Sequence, residues 1–309
     1  MQQWMKERGI TDRVTDEVFI AMSKALSFIE PDQLSIQCVL IVLNRFLQEI
    51  DRSKIAFLEG SPTGRLCEPL KRYIEQRGGI VRTDAPVKRI LANKDLEHSI
   101  SGLVLRGNEI VAGNYYLSAM PIDAIKKLLP DEWRSIPHFR NMTGLNDVPR
   151  INVHVWFDRK LSTVDNLIFS RSKLLSVYAD MPEICREYSS DTCSMLEMVF
   201  APAKGWICRS DEKIFISRHM KKLALFFPNE IKAGVWESDD GNFARVPKYS
   251  VVKTPTSVDE TPPGCVKIRP SQKCPISNFF MAGVFTKQKY LASMEGAVLS
   301  GQLAAKELF

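Results

Sequence analysis

The chain has 309 residues, of which 45% are apolar and 25% charged, and 42 Lys+Arg against 36 Asp+Glu give a formal net charge of +6. This is a globular composition, long enough for roughly two domains and for a core that needs no disulfide or metal staple. The basic residues form no long stripe and short clusters such as Lys71-Arg72 and Lys221-Lys222 read as solvated helix faces, so nucleic acid is excluded as an expected partner. Seven cysteines without a CxxC pair and four scattered histidines argue against structural zinc and for reduced, intracellular thiols. The apolar run Cys38–Leu43 is six residues long, against the roughly 20 that a spanning helix needs. The N-terminal stretch MQQWMKERGITDR lacks an apolar signal core and is too acidic for a typical transit peptide.

The first 50 residues read as helical. Val14, Val18, Met22, Ala25 and Leu26 recur at three-to-four spacing up to Pro31, and a second helix starts at about Asp32 with a broad apolar face from Leu34 to Leu47. That face suits either a buried core helix or a helix lying in a membrane interface. Ile55–Leu58 predicts a short strand and Gly60-Ser61-Pro62 a turn. A helix over Thr63–Arg77 follows, with Leu66, Leu70, Tyr73 and Ile74 inside and Gly78-Gly79 as its C-terminal cap. Ile80-Val81, Val87–Leu91, Gly102–Leu105, Glu109–Ala112 and Tyr115–Ala119 predict strands, an α/β layer carrying an inserted antiparallel ribbon.

Pro121 opens a helix through Leu129. Arg150–Phe157, Leu167–Ser170, Leu174–Tyr178 and Ser194–Phe200 alternate and predict a second, mostly antiparallel sheet. A helix over Ser210–Phe226 starts on a capping serine with acidic residues in its first turn. Residues 232–245 read as a loop, Tyr249–Lys253 as a strand, 254–275 as a Pro-rich connector, Phe279–Gly283 as a strand and about Tyr290–Leu308 as the last helix.

The chain contains no Walker lysine loop, no GxSxG elbow, no paired metal-ligand spacing and no GxGxxG. His154 suits a hydrogen-bonded core position or a base, and Asp180 and Glu197 read as ion-pairing carboxylates. The stretch NFFMAGVFTKQKYLASMEGAVLSGQL, 278–303, is the most informative. An apolar strand ends in Ala-Gly, a polar loop follows, and a helix opens whose free N–H groups favour an electron-rich ligand edge, with Gly296 allowing close approach.

This stretch resembles the C-terminal flavin signature of plant-type and cyanobacterial phytoene desaturases, in the flavin-containing amine oxidase superfamily. KIAFLEGSPTGRLCEPL, NVHVWFDRKL, LLSVYADM, MLEMVFAPAKGWICRSD and VVKTPTSV resemble further family segments in family order, from about Trp4 onward, with 86–150 and 228–275 the most diverged. The resemblance implies an FAD-dependent desaturase that takes 15-cis-phytoene through phytofluene towards ζ-carotene and passes electrons to plastoquinone. It further implies the surface of a plastid or chloroplast membrane, and it leaves homo-oligomer formation open. The implied fold is α/β plus α+β, a partial Rossmann-like FAD domain interleaved with a substrate domain of antiparallel sheet and helices. The expected parts are 1–55 (helical, substrate- or membrane-facing), 56–121 (FAD domain), 122–265 (substrate domain) and 266–309 (FAD domain). Arg65, Val258, Leu291 and Ala292 match substrate-side positions of the family, Arg65 and Val258 where inhibitors also bind. Val87, Gly283, Val284 and Met294 match cofactor-side positions, Val87 at the adenine. On residue type alone, Arg65 reads first as a surface or capping arginine, and Val87 reads equally well as a core strand valine. No acid or base is assigned, because aligning a C–H bond with a flavin needs neither.

Three departures qualify the resemblance. The family's GxGxxG unit is not among these residues, so the chain is expected to supply part of an FAD bed. The expected origin is a truncated product, a gene-model fragment or a diverged half-protein. Val284 replaces an Asp that hydrogen-bonds the cofactor, a contact worth about 1–3 kcal/mol. Asp259 replaces a tyrosine and sets a charge beside an expected apolar pocket, and Met120 replaces a threonine. The alternative is a non-catalytic, desaturase-like protein that binds lipid or a partner protein, with uncovered apolar faces.

Overall fold

The structure is a computed structural model and describes all residues except 22, 23, 25, 26, 30, 31, 49–55, 94–97, 171, 173, 217–222, 233–242, 291, 292 and 309. Its largest element is an antiparallel sheet built from β5 (Asp147–Trp156), β6 (Ile168–Phe169), β7 (Leu175–Asp180), β8 (Met195–Phe200) and β9 (Lys248–Asp259), in the order β6-β7-β8-β5-β9. The alternation in Arg150–Phe157 is what builds it. Ile151, Val153 and Val155 point to one face and are fully buried, together with Leu196, Met198 and Phe200 of β8. Val148, Asn152, His154 and Trp156 belong to the other face. The edge strand β9 runs well beyond Lys253, into the stretch expected to be a connector. Pro255 fits there because β5 and β9 shift register between Arg150↔Thr254 and Val148↔Val258, and an irregularity on an edge strand needs no N–H from proline.

A second group of strands carries β1 (Val87–Ala92), β2 (Ile100–Leu105) and β3 (Ile110–Val111) as an antiparallel ribbon. A parallel pair joins β4 (Tyr116–Ser118) to β10 (Phe279–Met281), 163 residues further on. The helix Ile122–Leu128 follows Pro121 as expected and buries Ile122 and Ile125 in a core shared with Trp133, Phe139, Phe279, Met281 and Phe285. A third, smaller core gathers Met1, Met5, Ile29, Leu34, Val39 and Val148.

Several expectations change in three dimensions. The N-terminal stripe does not stay in phase, because Thr15–Ile20 is a π-helical turn that rotates the buried face, leaving Val14 and Val18 outside while Thr15 and Ala21 are covered. Met22, Ala25, Leu26 and Pro31 lie outside the described residues. The second helix starts at Ile36 rather than Asp32 and runs to Gln48. Phe57, Leu58 and Ile80-Val81 are not strands, since a short apolar run forms one only where a ladder partner receives it. The helix after the turn, Thr63–Cys67 in π form and Glu68–Glu75 in α form, closes on Gly78 (φ 79°) as expected. Its apolar stripe, however, is not inside: Leu70 and Tyr73 are each 56% exposed, and Leu66 and Ile74 are also exposed. Of the expected helix 210–226, Asp211–Phe215 and Leu223–Phe226 are helical, and Ser210 accepts the N–H of Lys213 as its cap.

Candidate cofactor and substrate site

The strand β10 ends at Met281, and the backbone then turns sharply at Gly283, whose φ of 139° suits glycine alone and whose missing Cβ makes room for the Phe285 ring. The last helix, Met294–Lys306, starts on Ser293, which accepts the N–H of Gly296 at 3.0 Å. Gly296, Ser300 and Ala304 lie one turn apart and are buried, so a small-residue stripe lets the helix approach the strand closely. Ser300 fixes the contact: its Oγ accepts the N–H of Gly283 at 2.7 Å and donates to the Ala297 carbonyl at 2.6 Å. Met294 and Val298, also one turn apart, point outward and are 71% and 63% exposed.

Val284 has no side-chain acceptor, and its carbonyl is taken by the guanidinium of Arg269 and by Gln288 at 3.4 Å. Arg269 is buried and its other arm donates to Oδ2 of Asp259, so the charge of Asp259 sits in a buried ion pair rather than beside an open pocket. Burial nevertheless raises the Asp259 carboxyl to about 6, against the pull of Arg269. Asp147, its cross-strand partner, is also raised, by burial and then by Asp123. Met120 packs into the second core.

Val87 opens β1 opposite Leu105 and is partly buried. Arg65 lies in the π-helical turn, half-exposed, with a guanidinium N–H donating to Glu187 Oε1 at 2.8 Å, so it is neither a capping nor a free arginine. Next to this bridge, where Gly60 meets the Glu187 side chain, a cleft of about 450 Å³ is lined by Phe57, Leu58, Gly60, Trp156, Met181 and Ile184. Its polar feature is His154, 3.7 Å from Glu197, and Glu197 is held below the usual carboxylate range by His154 and, despite burial, by an Asn152 amide donating at 2.8 Å. Asp180 instead receives Ser194 Oγ–H and the Met195 N–H, and burial raises its carboxyl.

The substrate-side positions are not gathered in one place. Val258 pairs with Val148 near the start of β5 and packs on the third core, whereas the cleft beside the Arg65–Glu187 bridge uses His154 and Trp156 near its end. Val148 and His154 lie roughly 20 Å apart along one face of the strand. Leu291 and Ala292 lie outside the described residues. Sequence reading missed the Arg65–Glu187 and Asp259–Arg269 pairs, since each joins residues that no spacing rule connects. Among the described residues, no cluster of three His, Cys, Asp or Glu is placed to hold a metal ion, and no helix is long and apolar enough to cross a membrane.

The profile of the family described as flavin containing amine oxidoreductase matches residues 2–309, and the chain belongs to that family. Within it, the chain is 54% identical over 309 residues to a chloroplastic/chromoplastic 15-cis-phytoene desaturase of Solanum lycopersicum, covering 100% of this chain and 52% of that protein. It is 49% identical to the 15-cis-phytoene desaturase of Synechococcus elongatus, covering 99% of this chain and 64% of the relative. The chain thus spans about half the length of the plant relatives it matches. Among solved structures it superimposes on an oxidoreductase from Methanosarcina mazei with a TM-score of 0.71 at 15% identity, covering 99% of this chain and 67% of the other, a likeness of fold.

Proposed function

We propose that this chain forms part of an FAD-dependent desaturase that acts on 15-cis-phytoene, through phytofluene towards ζ-carotene, with plastoquinone as the final electron acceptor. The observation that carries this reading is the 54% identity to the tomato enzyme across the whole chain. The plant relatives are named chloroplastic/chromoplastic, which supports a plastid location, and the reading includes a peripheral membrane surface and a homo-oligomer. The proposed FAD-domain parts, 56–121 and 266–309, are supported by the β4–β10 pair, and the proposed substrate domain, 122–265, by the five-stranded sheet.

The last strand, turn and helix fit a flavin in part. Gly283 and the start of the helix at Ser293 would offer backbone groups to a flavin, and Met294 and Val298 present apolar surface outward. When bound, a flavin supplies the hydride acceptor for the desaturation. Trp156 and Phe57 give the cleft apolar walls, which suit a hydrocarbon that offers no polar handle. The shared face of β5 between Val148 and His154 is long enough to contact an extended chain at two places. Arg65, Val258, Leu291 and Ala292 are proposed on the substrate side, Val258 through its pairing with Val148 and Arg65 through its bridge to Glu187 beside the cleft. Val87 and Met294 are proposed to meet the cofactor through backbone.

The reading is tested by expressing 1–309, adding excess FAD, removing free cofactor and recording the visible spectrum. A retained, stoichiometric flavin spectrum supports the reading, with phytoene turnover as the next assay; a folded, colourless protein overturns it for the chain alone and favours a binding role. One observation favours a second reading, a non-catalytic protein that binds lipid or a partner: the exposed stripe Leu66, Leu70, Tyr73 and Ile74.

A further inference from the structure

The flavin and hydrocarbon chemistry leaves the buried thiols unused. Cys38 and Cys265 are 227 positions apart, yet their sulfurs lie 3.7 Å apart in the second core, and both residues are almost wholly buried. Cys38 sits in the first turns of the helix Ile36–Gln48, and Cys265 opens the short helix Cys265–Ile268. The two segments are already tied by backbone, since the Ser35 N–H donates to the Thr261 carbonyl at 2.9 Å. No other cysteine pair has its sulfurs within hydrogen-bonding reach among the described residues, and Cys67 and Cys208 are exposed and separate. We propose that Cys38 and Cys265 form a reversible redox site, closed to a disulfide by a small hydroperoxide and reopened by a dithiol.

The chemistry assigns the two sulfurs different parts. The hydrogen bond from Cys38, and after it the charge of Arg269, draws the Cys265 thiol down to about 7 despite burial, while Cys38 is pushed up by that same contact. Cys274, a buried thiol without a cation, is by contrast raised to about 11 by its burial. The attack is assigned to Cys265 because the buried Arg269 guanidinium lies against it. Its sulfur bonds to one peroxide oxygen, the O–O bond breaks, and the other oxygen leaves as water or an alcohol after taking a proton. The Cys38 sulfur then attacks the Cys265 sulfur, the S–O bond breaks, and hydroxide departs with the Cys38 proton as water. Two thiols and one hydroperoxide become one disulfide, one alcohol or water and one further water, with two electrons passing from sulfur to oxygen. The sulfurs must close from 3.7 Å to about 2.05 Å. The bond would clip the N-terminal helices to the segment between β9 and β10, closing a very long loop of the unfolded chain.

The test uses the full chain in a Cys67→Ser/Cys208→Ser background, treated with hydrogen peroxide at neutral pH and mapped by non-reducing peptide mass spectrometry. The expected result is a 2 Da loss, a linked Cys38–Cys265 peptide, and a rise in Tm that dithiothreitol reverses. The same dose in 6 M urea should yield no preference for that pair. Cys38→Ser should leave Cys265 trapped as sulfenic acid by a dimedone probe, whereas Cys265→Ser should leave Cys38 unmodified. The proposal is overturned if Cys38 and Cys265 remain reduced while Cys185, Cys193 or Cys274 oxidises, or if the linked peptide forms equally in urea.

Discussion

At the scale of single residues, the buried guanidinium of Arg269 changes the meaning of two sequence departures. Asp259 is charged and buried, but its carboxylate faces Arg269, so its position is polar inside rather than an exposed charge in an apolar pocket. The same guanidinium reaches the Val284 carbonyl, so the turn where the resemblance implies an acidic side chain is held through its backbone. What Val284 lacks is an acceptor aimed at a ligand. Under the proposed function, Val284→Asp should tighten flavin retention by about tenfold, the equivalent of one hydrogen bond of roughly 1.4 kcal/mol, read by equilibrium dialysis. Unchanged retention would remove this residue from the cofactor site. Neither pairing was legible beforehand, because a carboxylate and a guanidinium carry the same letters whether they meet each other or solvent.

At the scale of elements, periodicity located strands well where a partner was available to receive them. The alternation in Arg150–Phe157 became β5 because β8 and β9 flank it on both edges, and the expected cap at Ser210 accepts the backbone N–H three residues on, as does Ser293, which the sequence pattern places inside the last helix. Equal apolar content in Ile80-Val81 produced no strand, since none pairs with it among the described residues. The stripe on Glu68–Glu75 is the clearest divergence between pattern and packing. Its spacing is that of a core-facing helix, and its exposure shows that the described residues do not cover it. Leu70→Lys with Ile74→Lys should therefore change stability by no more than about 0.5 kcal/mol while lowering dye binding to exposed apolar surface and self-association. A large drop in the denaturation midpoint would mean that the stripe is covered in solution by this same chain.

At the scale of the whole molecule, burial of acidic groups sets how stability responds to pH. Asp259 titrates near 6 in the folded protein, above the ordinary carboxylate value of 3.8 that applies once unfolded. Between those values the native state holds the extra proton, so its contribution to stability is fully present below about pH 4 and is lost as pH rises through 6. Asp147 and Asp180 are raised as well and add to the same trend. Denaturant midpoints measured from pH 4 to pH 7 should thus fall more steeply for the native sequence than for Asp259→Asn; parallel slopes would show that Asp259 is not the titrating group. Composition, local alternation and capping residues sufficed for the class of fold, most strand positions and the family resemblance, because these depend on neighbours a few positions apart. Tertiary structure alone decided that β4 pairs with β10, that Arg269 neutralises Asp259, that Cys38 meets Cys265, and that Arg65 bridges to Glu187. Those contacts join residues from 10 to 227 positions apart, and their strength comes from burial and mutual distance, which no local pattern encodes.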